Sequence, residues 1–377
     1  MIADTEKSER TEGEKPRTTR DEAAWLTQIE LLANLPYAAT ALIPAVVAAI
    51  RDGIDADFGA FGWVEGEHLR PVAFWSERMT EPVFRSFTSH LDVFFDEFPL
   101  RIQLDSDGEA IRGFQDIPDY ESHWHLTEII APLGARWATG VPVRNQRGEC
   151  SGFLYLYRRA DAGRFTDDEQ ATLRRARDRL TGLHTAADQA RTVPLCLAAT
   201  ATLQFDALGT MVARGARAIE LLYLCQDVRL GVLDWAQQNV RALPGAPRAL
   251  IEQQLVNDGT SRLAHCSLEV AAGRFDFRIE RLERLDTTAP QITVTIQHWQ
   301  PADIAVAKQL AGWPLSAQEK RLIVATAREM DHKEIADALG VTVGTLKAYV
   351  NRLNAKLGVE SRKAFVQQLL TRAAAAH

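Results

Sequence analysis

Lys347, Asn351 and Arg352 lie in one helix-sized stretch, interleaved with Gly344, Ala348 and Ala355. At about 100° per residue these six lie opposite Leu346, Val350, Leu353 and Leu357, which share one apolar stripe. Lysine and arginine donate to phosphate oxygens, lysine also donates to guanine, and asparagine can read adenine. Small residues on the same face let the helix backbone approach base edges closely. The chemistry that this face offers is duplex recognition rather than bond making. Lys333, Thr342, Thr345, Tyr349 and Lys356 complete the candidate contacts.

The neighbouring residues supply the elements that must hold such a face in place. Ser316 with Glu319, and Asp331 with Glu334, have the spacing of capping boxes, each satisfying backbone N–H groups that a helix start leaves orphaned. Helices are expected from Ala317 to about Arg328 and from His332 to Leu339, the second ended by Gly340. Thr342 caps the third helix and Gly358 ends it. Ser361 caps a fourth, from Arg362 to about Arg372. Phe365, Val366, Leu369 and Leu370 exceed what one small core face needs, so part of that set is expected at a dimer contact.

This segment resembles the LuxR-type (NarL/FixJ-class) helix-turn-helix domain. The resemblance rests on Leu315, Glu319, Lys333-Glu334-Ile335-Ala336, Leu339, Thr345-Leu346-Lys347, Lys356-Leu357-Gly358-Val359 and Arg362. It implies double-stranded DNA as a partner, the third helix as the recognition helix and the fourth as an aid to homodimerisation. RNA polymerase and a small-molecule effector are further candidate partners. Three positions depart from the family pattern. Glu329 stands where glycine is usual, Asp331-His332 where a Ser-Asn type pair is usual, and Tyr349 where histidine is common.

Composition agrees with one dedicated nucleic-acid module on a different kind of body. The chain of 377 residues has a net charge of −7, yet from Pro301 onward 11 Lys/Arg face 7 Asp/Glu. A basic end on an acidic body concentrates polyanion affinity in that end. Cys150, Cys196, Cys225 and Cys266 are widely spaced, which suggests neither a disulfide scaffold nor a zinc site. The polar start of the chain lacks a secretion signal and reads as a disordered tail over 1–22. The apolar run near Ala38 to Ile50 is too short to span a membrane and is interrupted by Pro44. A cytoplasmic location is expected, without a cofactor or metal.

The body reads as two sheet-containing units. Helical patterns at Trp25–Leu35 and about Leu42–Asp52 precede strand patterns at Phe58–Val64 and His68–Trp75. A hairpin of Trp137–Val143 and Cys150–Tyr157 follows, then a long helix opened by Phe165, Thr166 and Glu169 and running to about Arg191. Gly140-Val-Pro-Val, Gly152-Phe-Leu-Tyr-Leu and Phe165-Thr-x-x-Glu resemble the end of a GAF domain, which implies an antiparallel sheet with helices and a pocket. Nine of the 15 Phe lie between Phe58 and Phe114. Such rings fill cores and also line apolar pockets. Trp63, Phe74, Trp75, Phe94, Phe95, Trp124 and Trp137 are the candidate effector-pocket residues. His123-Trp124-His125 admits a metal reading, against that of polar residues at a surface or pocket edge. Asp167-Asp168 sits in the first turn of a helix, where acids favour the dipole, so a phosphoacceptor is rejected.

From Pro194 to Gln300 the order is two strands, helices, then strand patterns at Ser261–Glu269, Gly273–Leu282 and Gln291–His298, a pattern similar to a PAS domain. The expected fold class is α+β multidomain. It comprises a GAF-like domain over 23–192, a PAS-like domain over 193–300, a connector over 301–314 and an all-α helix-turn-helix domain over 315–377. The expected function is a DNA-binding transcription regulator, not an enzyme, whose body senses a small apolar or aromatic effector and sets dimer geometry. Two rivals stay open: control by a protein partner alone, and an enzyme fused to a DNA-binding end.

Overall fold

The computed structural model describes residues 22–66, 69–78, 80–90, 119–184, 193–229, 239–256, 263–283 and 291–375. Helices α1 (Glu22–Ala33) and α2 (Ala39–Ile54) precede strands β1 (Phe58–Glu65) and β2 (Arg70–Ser76). Helix α3 (Glu81–Ser89), a π-helical turn (His125–Ile130), β3 (Trp137–Arg144), β4 (Cys150–Arg158) and α4 (Asp167–Arg177) follow among the described residues of the first unit. Its four strands are antiparallel in the order β2-β1-β4-β3. On β4, Leu154 and Leu156 face the core shared with α1, α2 and α4. Phe153, Tyr155 and Tyr157 face a second core with Val83, Phe87, Leu126 and Ile129. Both faces are covered, which is why β4 reads as a nearly unbroken apolar run instead of alternating.

The second unit has β5 (Leu195–Phe205), β6 (Met211–Arg214), α5 (Ala218–Leu224), α6 (Gly245–Val256), β7 (Leu263–Val270), β8 (Gly273–Leu282) and β9 (Gln291–Pro301). Its antiparallel order is β6-β5-β9-β8-β7, so the first strand lies beside the last. Here the alternation is clean. Ile292, Val294 and Ile296 are buried, and the residues between them are partly exposed. One face therefore packs on helices while the other meets solvent.

Helix α7 (Ala302–Gln309) follows β9 directly, then α8 (Ala317–Ala327), α9 (His332–Leu339), α10 (Val343–Leu357) and α11 (Arg362–Ala375). Two expectations change. Helix α4 ends at Arg177, and a 3₁₀ turn at Leu180–His184 follows, so no single helix runs to Arg191. Residues 185–192 lie outside the described residues. The helical pattern expected from about Leu42 to Asp52 continues through Pro44 in α2, with Leu42 and Ile43 buried before the proline and Val46, Val47 and Ile50 buried after it. The stretch expected as a connector is a packed element: Ala302 to Ala307 are all buried, and α7 contacts α1, α2, α8 and α11. One apolar core runs from α1 through α7 to Phe365 and Leu369 of α11. The tail expected before Glu22 lies outside the described residues. No helix among the described residues is long and apolar enough to cross a membrane.

Candidate nucleic-acid interface

The caps form as the spacing requires. Ser316 Oγ accepts the Glu319 N–H at 3.3 Å, and the Glu319 carboxylate accepts the Ser316 N–H at 2.7 Å. Asp331 Oδ1 accepts the N–H groups of Lys333 and Glu334, each at 2.8 Å, and Glu334 accepts the Asp331 N–H at 2.7 Å. Thr342 Oγ1 accepts the Thr345 N–H at 3.1 Å and starts α10. Gly340 (φ 66°) and Gly358 (φ 64°) end α9 and α10 in the left-handed region that glycine enters without cost. The α9–α10 turn is thus closed by Gly340 on one side and Thr342 on the other.

Helix α10 buries Leu346 and Leu353 and half-buries Val350 and Leu357. Gly344, Thr345, Lys347, Ala348, Asn351, Arg352 and Ala355 are exposed, as are Lys333 on α9 and Thr342 at the cap. A Cβ at Gly344 would come no nearer than 3.7 Å to Thr342 Oγ1, so the fold itself leaves room there. Tyr349 is half-buried, and the Arg352 guanidinium lies over its ring at 5.3 Å. That contact holds the Arg352 side chain along the helix.

Lys356 differs from the other cations. Its Nζ donates to Glu319 Oε2 at 2.8 Å, which ties the last turn of α10 to the cap of α8. Partial burial raises the Glu319 carboxyl, but the hydrogen bonds from Lys356 and Ser316 outweigh it, and the net shift is downward. Sequence reasoning passed over Val343, the first residue of α10, which is 39% exposed. By spacing Val343 continues the Leu346–Val350 stripe, so the period alone marked it as a core position, and its exposure comes from its place in the first turn of the helix. In α11, by contrast, Phe365, Val366 and Leu369 are buried within the chain, and Trp313 meets Phe365 edge-on at 4.9 Å. These three are covered by their own chain, while Leu370 of the expected set is only half-buried.

The aromatic candidates of the body do not converge on one pocket. Phe74 borders a small hollow with Ser76, Arg78, Val83, Phe87, His125, Ile129, Leu133, Tyr155 and Tyr157. Its volume of about 20 Å³ holds roughly one water, far short of the ~150 Å³ that admits benzene. His125 accepts from or donates to Tyr120 Oη at 3.0 Å, and burial lowers its pKa to about 3, so the ring is neutral at physiological pH. Among the described residues no group of three or more His, Cys, Asp or Glu could hold a metal ion. Trp75 is in the core, Trp124 stacks on His90 at 4.2 Å, and Trp137 carries Arg136 and Arg164 over its ring. Trp63 lines a separate open cleft of about 1100 Å³ between the two sheet units, with Thr40, Val72, Ser151, Asp227 and Arg229. Phe94 and Phe95 lie outside the described residues.

Residues 313–369 match the family model described as bacterial regulatory proteins, luxR family. The match identifies the C-terminal helices as a luxR-family helix-turn-helix domain, and it covers well under half of the chain. No curated protein matches the chain. Similar solved structures include a Vibrio cholera VqmA–ligand–DNA complex, at 17% identity and TM-score 0.22, covering 46% of this chain and 83% of that one. The sensor region of a sensor histidine kinase aligns at 14% identity and TM-score 0.20, covering 72% and 89%. The E. coli DhaR(N)–DhaL complex aligns at 11% identity and TM-score 0.18, covering 73% and 86%. Such TM-scores are too low to fix a fold.

Proposed function

We propose that this chain is a transcription regulator that reads double-stranded DNA with α10 in the major groove. The observation that carries the reading is the exposed face of Gly344, Lys347, Ala348, Asn351 and Arg352 opposite buried Leu346 and Leu353, within a luxR-family domain. Lys347 and Arg352 contact phosphates or guanine, Asn351 reads adenine, and Thr342, Thr345, Lys333 and Tyr349 position the helix on the backbone. Val343 adds an apolar contact suited to a thymine methyl. A homodimer would place two such helices on half-sites about one helical turn apart.

The body is proposed to act as a sensor. The order β6-β5-β9-β8-β7 supports a PAS-like second unit, and a sheet covered by α1, α2 and α4 supports a GAF-like first unit. The hollow beside His125 is too small for an organic effector, so the cleft at Trp63 is the better candidate. Its mixed lining suits a partly apolar molecule with a polar end facing Asp227 and Arg229. The proposed DNA reading is tested by selecting duplexes from a random pool with the full chain. Enrichment of one sequence, with affinity lost in Lys347→Ala, is expected. A pool without enrichment and an affinity indifferent to Lys347 would sink the reading.

A further inference from the structure

The first helix of the DNA-reading unit is sunk into the body through polar side chains. Lys320 of α8 has no exposed surface, and its Nζ donates to Gln28 Oε1 at 3.3 Å. Gln28, on α1 and 2% exposed, uses its Nε2 to donate to the Ala307 carbonyl of α7. One amide thereby joins α1, α7 and α8. A second buried group lies nearby. Asp303, at the start of α7 and fully buried, accepts the Tyr37 hydroxyl at 2.8 and 2.9 Å and faces Arg328, after the end of α8, at 3.6 Å. Helix α11 closes over α7 and β5 beside them.

A buried ammonium bonded to a neutral amide is costly to desolvate. It does not stabilise the fold in the way that an apolar residue of equal size would, but it responds sharply to loss of its partner. Apolar packing alone would glue the two units together with little dependence on geometry. Buried polar pairs demand one alignment and fail outside it.

We infer that Gln28–Lys320 and Tyr37–Asp303–Arg328 form a latch that fixes the orientation of the reading unit on the body, and that its opening frees that unit. The inference rests on the DNA-reading role proposed above. It locates the control point at the α1–α7–α8 junction, where a shift in α1 or α7 breaks both polar groups together. The recognition face of α10 stays exposed while the latch is closed. The latch therefore governs where the face points rather than whether it is covered.

The test compares the full-length chain with Gln28→Leu and with the double variant Gln28→Leu/Lys320→Met. Loss of one partner leaves a buried charge unsatisfied, whereas replacing both by apolar groups is close to neutral. The Ala307 carbonyl also accepts the Leu310 N–H, so the double variant leaves it satisfied. In Gln28→Leu, amide exchange of α8 and α11 should speed by at least about tenfold, a loss of roughly 1.4 kcal/mol, with β1 and β4 unchanged. The double variant should restore slow exchange. Tyr37→Phe, a milder change, should give the same selective acceleration if Gln28→Leu fails to fold. Affinity for a mixed-sequence duplex, measured alongside, should change in the single variants and return in the double. Unchanged exchange in α8 and α11, an equal change across the chain, or selective exchange without any change in DNA affinity overturns the latch. Absence of DNA binding by the wild-type chain instead overturns the reading role, and the exchange data still judge the latch.

Discussion

At the scale of single residues, two lysines on α10 separate by what they touch. Lys347 is exposed and projects from the proposed reading face, while Lys356 is engaged by Glu319 at 2.8 Å. Lys347→Ala should weaken DNA binding and lower the slope of log affinity against log salt by about one charge. Lys356→Met should leave that slope nearly unchanged and lower the melting temperature slightly, as a half-exposed ion pair contributes only about 0–1 kcal/mol. Equal slopes for the two variants would refute this division of roles. Asp303 offers a pH test. Burial raises its pKa from 3.8 to about 6, against the Tyr37 hydrogen bond and the Arg328 charge. A carboxyl raised in the folded state favours folding below its unfolded pKa, and that contribution is lost as pH rises through the folded value. Stability from this group should thus fall between about pH 4 and pH 6, and Asp303→Asn should flatten that interval in urea titrations. Both lysines were visible in the sequence as cations on one helix. Their difference was not, because Glu319 lies 37 positions away from Lys356.

At the scale of elements, caps were legible because they are local. Ser316, Asp331, Thr166 and Thr342 each act on a backbone N–H two or three residues ahead, and no distant partner is needed. Glu329 shows what a family departure means physically. It sits between α8 and α9 with φ 55°, in the left-handed region that a side chain enters at a cost of roughly 1–2 kcal/mol. Glu329→Gly should therefore raise stability by roughly 0.5–1 kcal/mol after the extra chain entropy of glycine is counted. An unchanged or lowered melting temperature would mean that the contacts of the Glu329 side chain outweigh the backbone term. The aromatic cluster was harder to read. Phe74, Trp75 and Trp63 are close in sequence, yet alternate strand faces and neighbouring elements send them to a small hollow, a core and an open cleft. Their composition suggested one pocket; strand alternation parts Phe74 from Trp75, while Trp63 shares the Trp75 face and lies at the margin of that core, where it borders the cleft.

At the scale of the whole molecule, the reading unit and the body share apolar surface. Helix α7 contributes Ile304 and Val306, and its C-cap Leu310 joins them, in the core that also holds Leu322, Phe365 and Leu369. A fragment beginning at residue 301 should accordingly melt higher than one beginning at 315, which exposes the inner sides of α8 and α11. Thermal scans of both fragments check this, and identical melting temperatures would show that α7 contributes nothing to the unit. The sequence by itself determined what depends on near neighbours: the capped helices from Ser316 onward, the stripe of α10 with its opposite polar face, and the strand patterns of both sheets. Those follow from backbone geometry and side-chain period, which act over a few residues. Only the tertiary structure decided that α11 turns its apolar residues inward, that the expected connector is a core helix, and that Lys320 meets Gln28 across 292 positions. A helix carries the same apolar stripe whether it covers its own chain or a partner, so which surface it covers is settled by the packing of distant elements and not by the period of its residues.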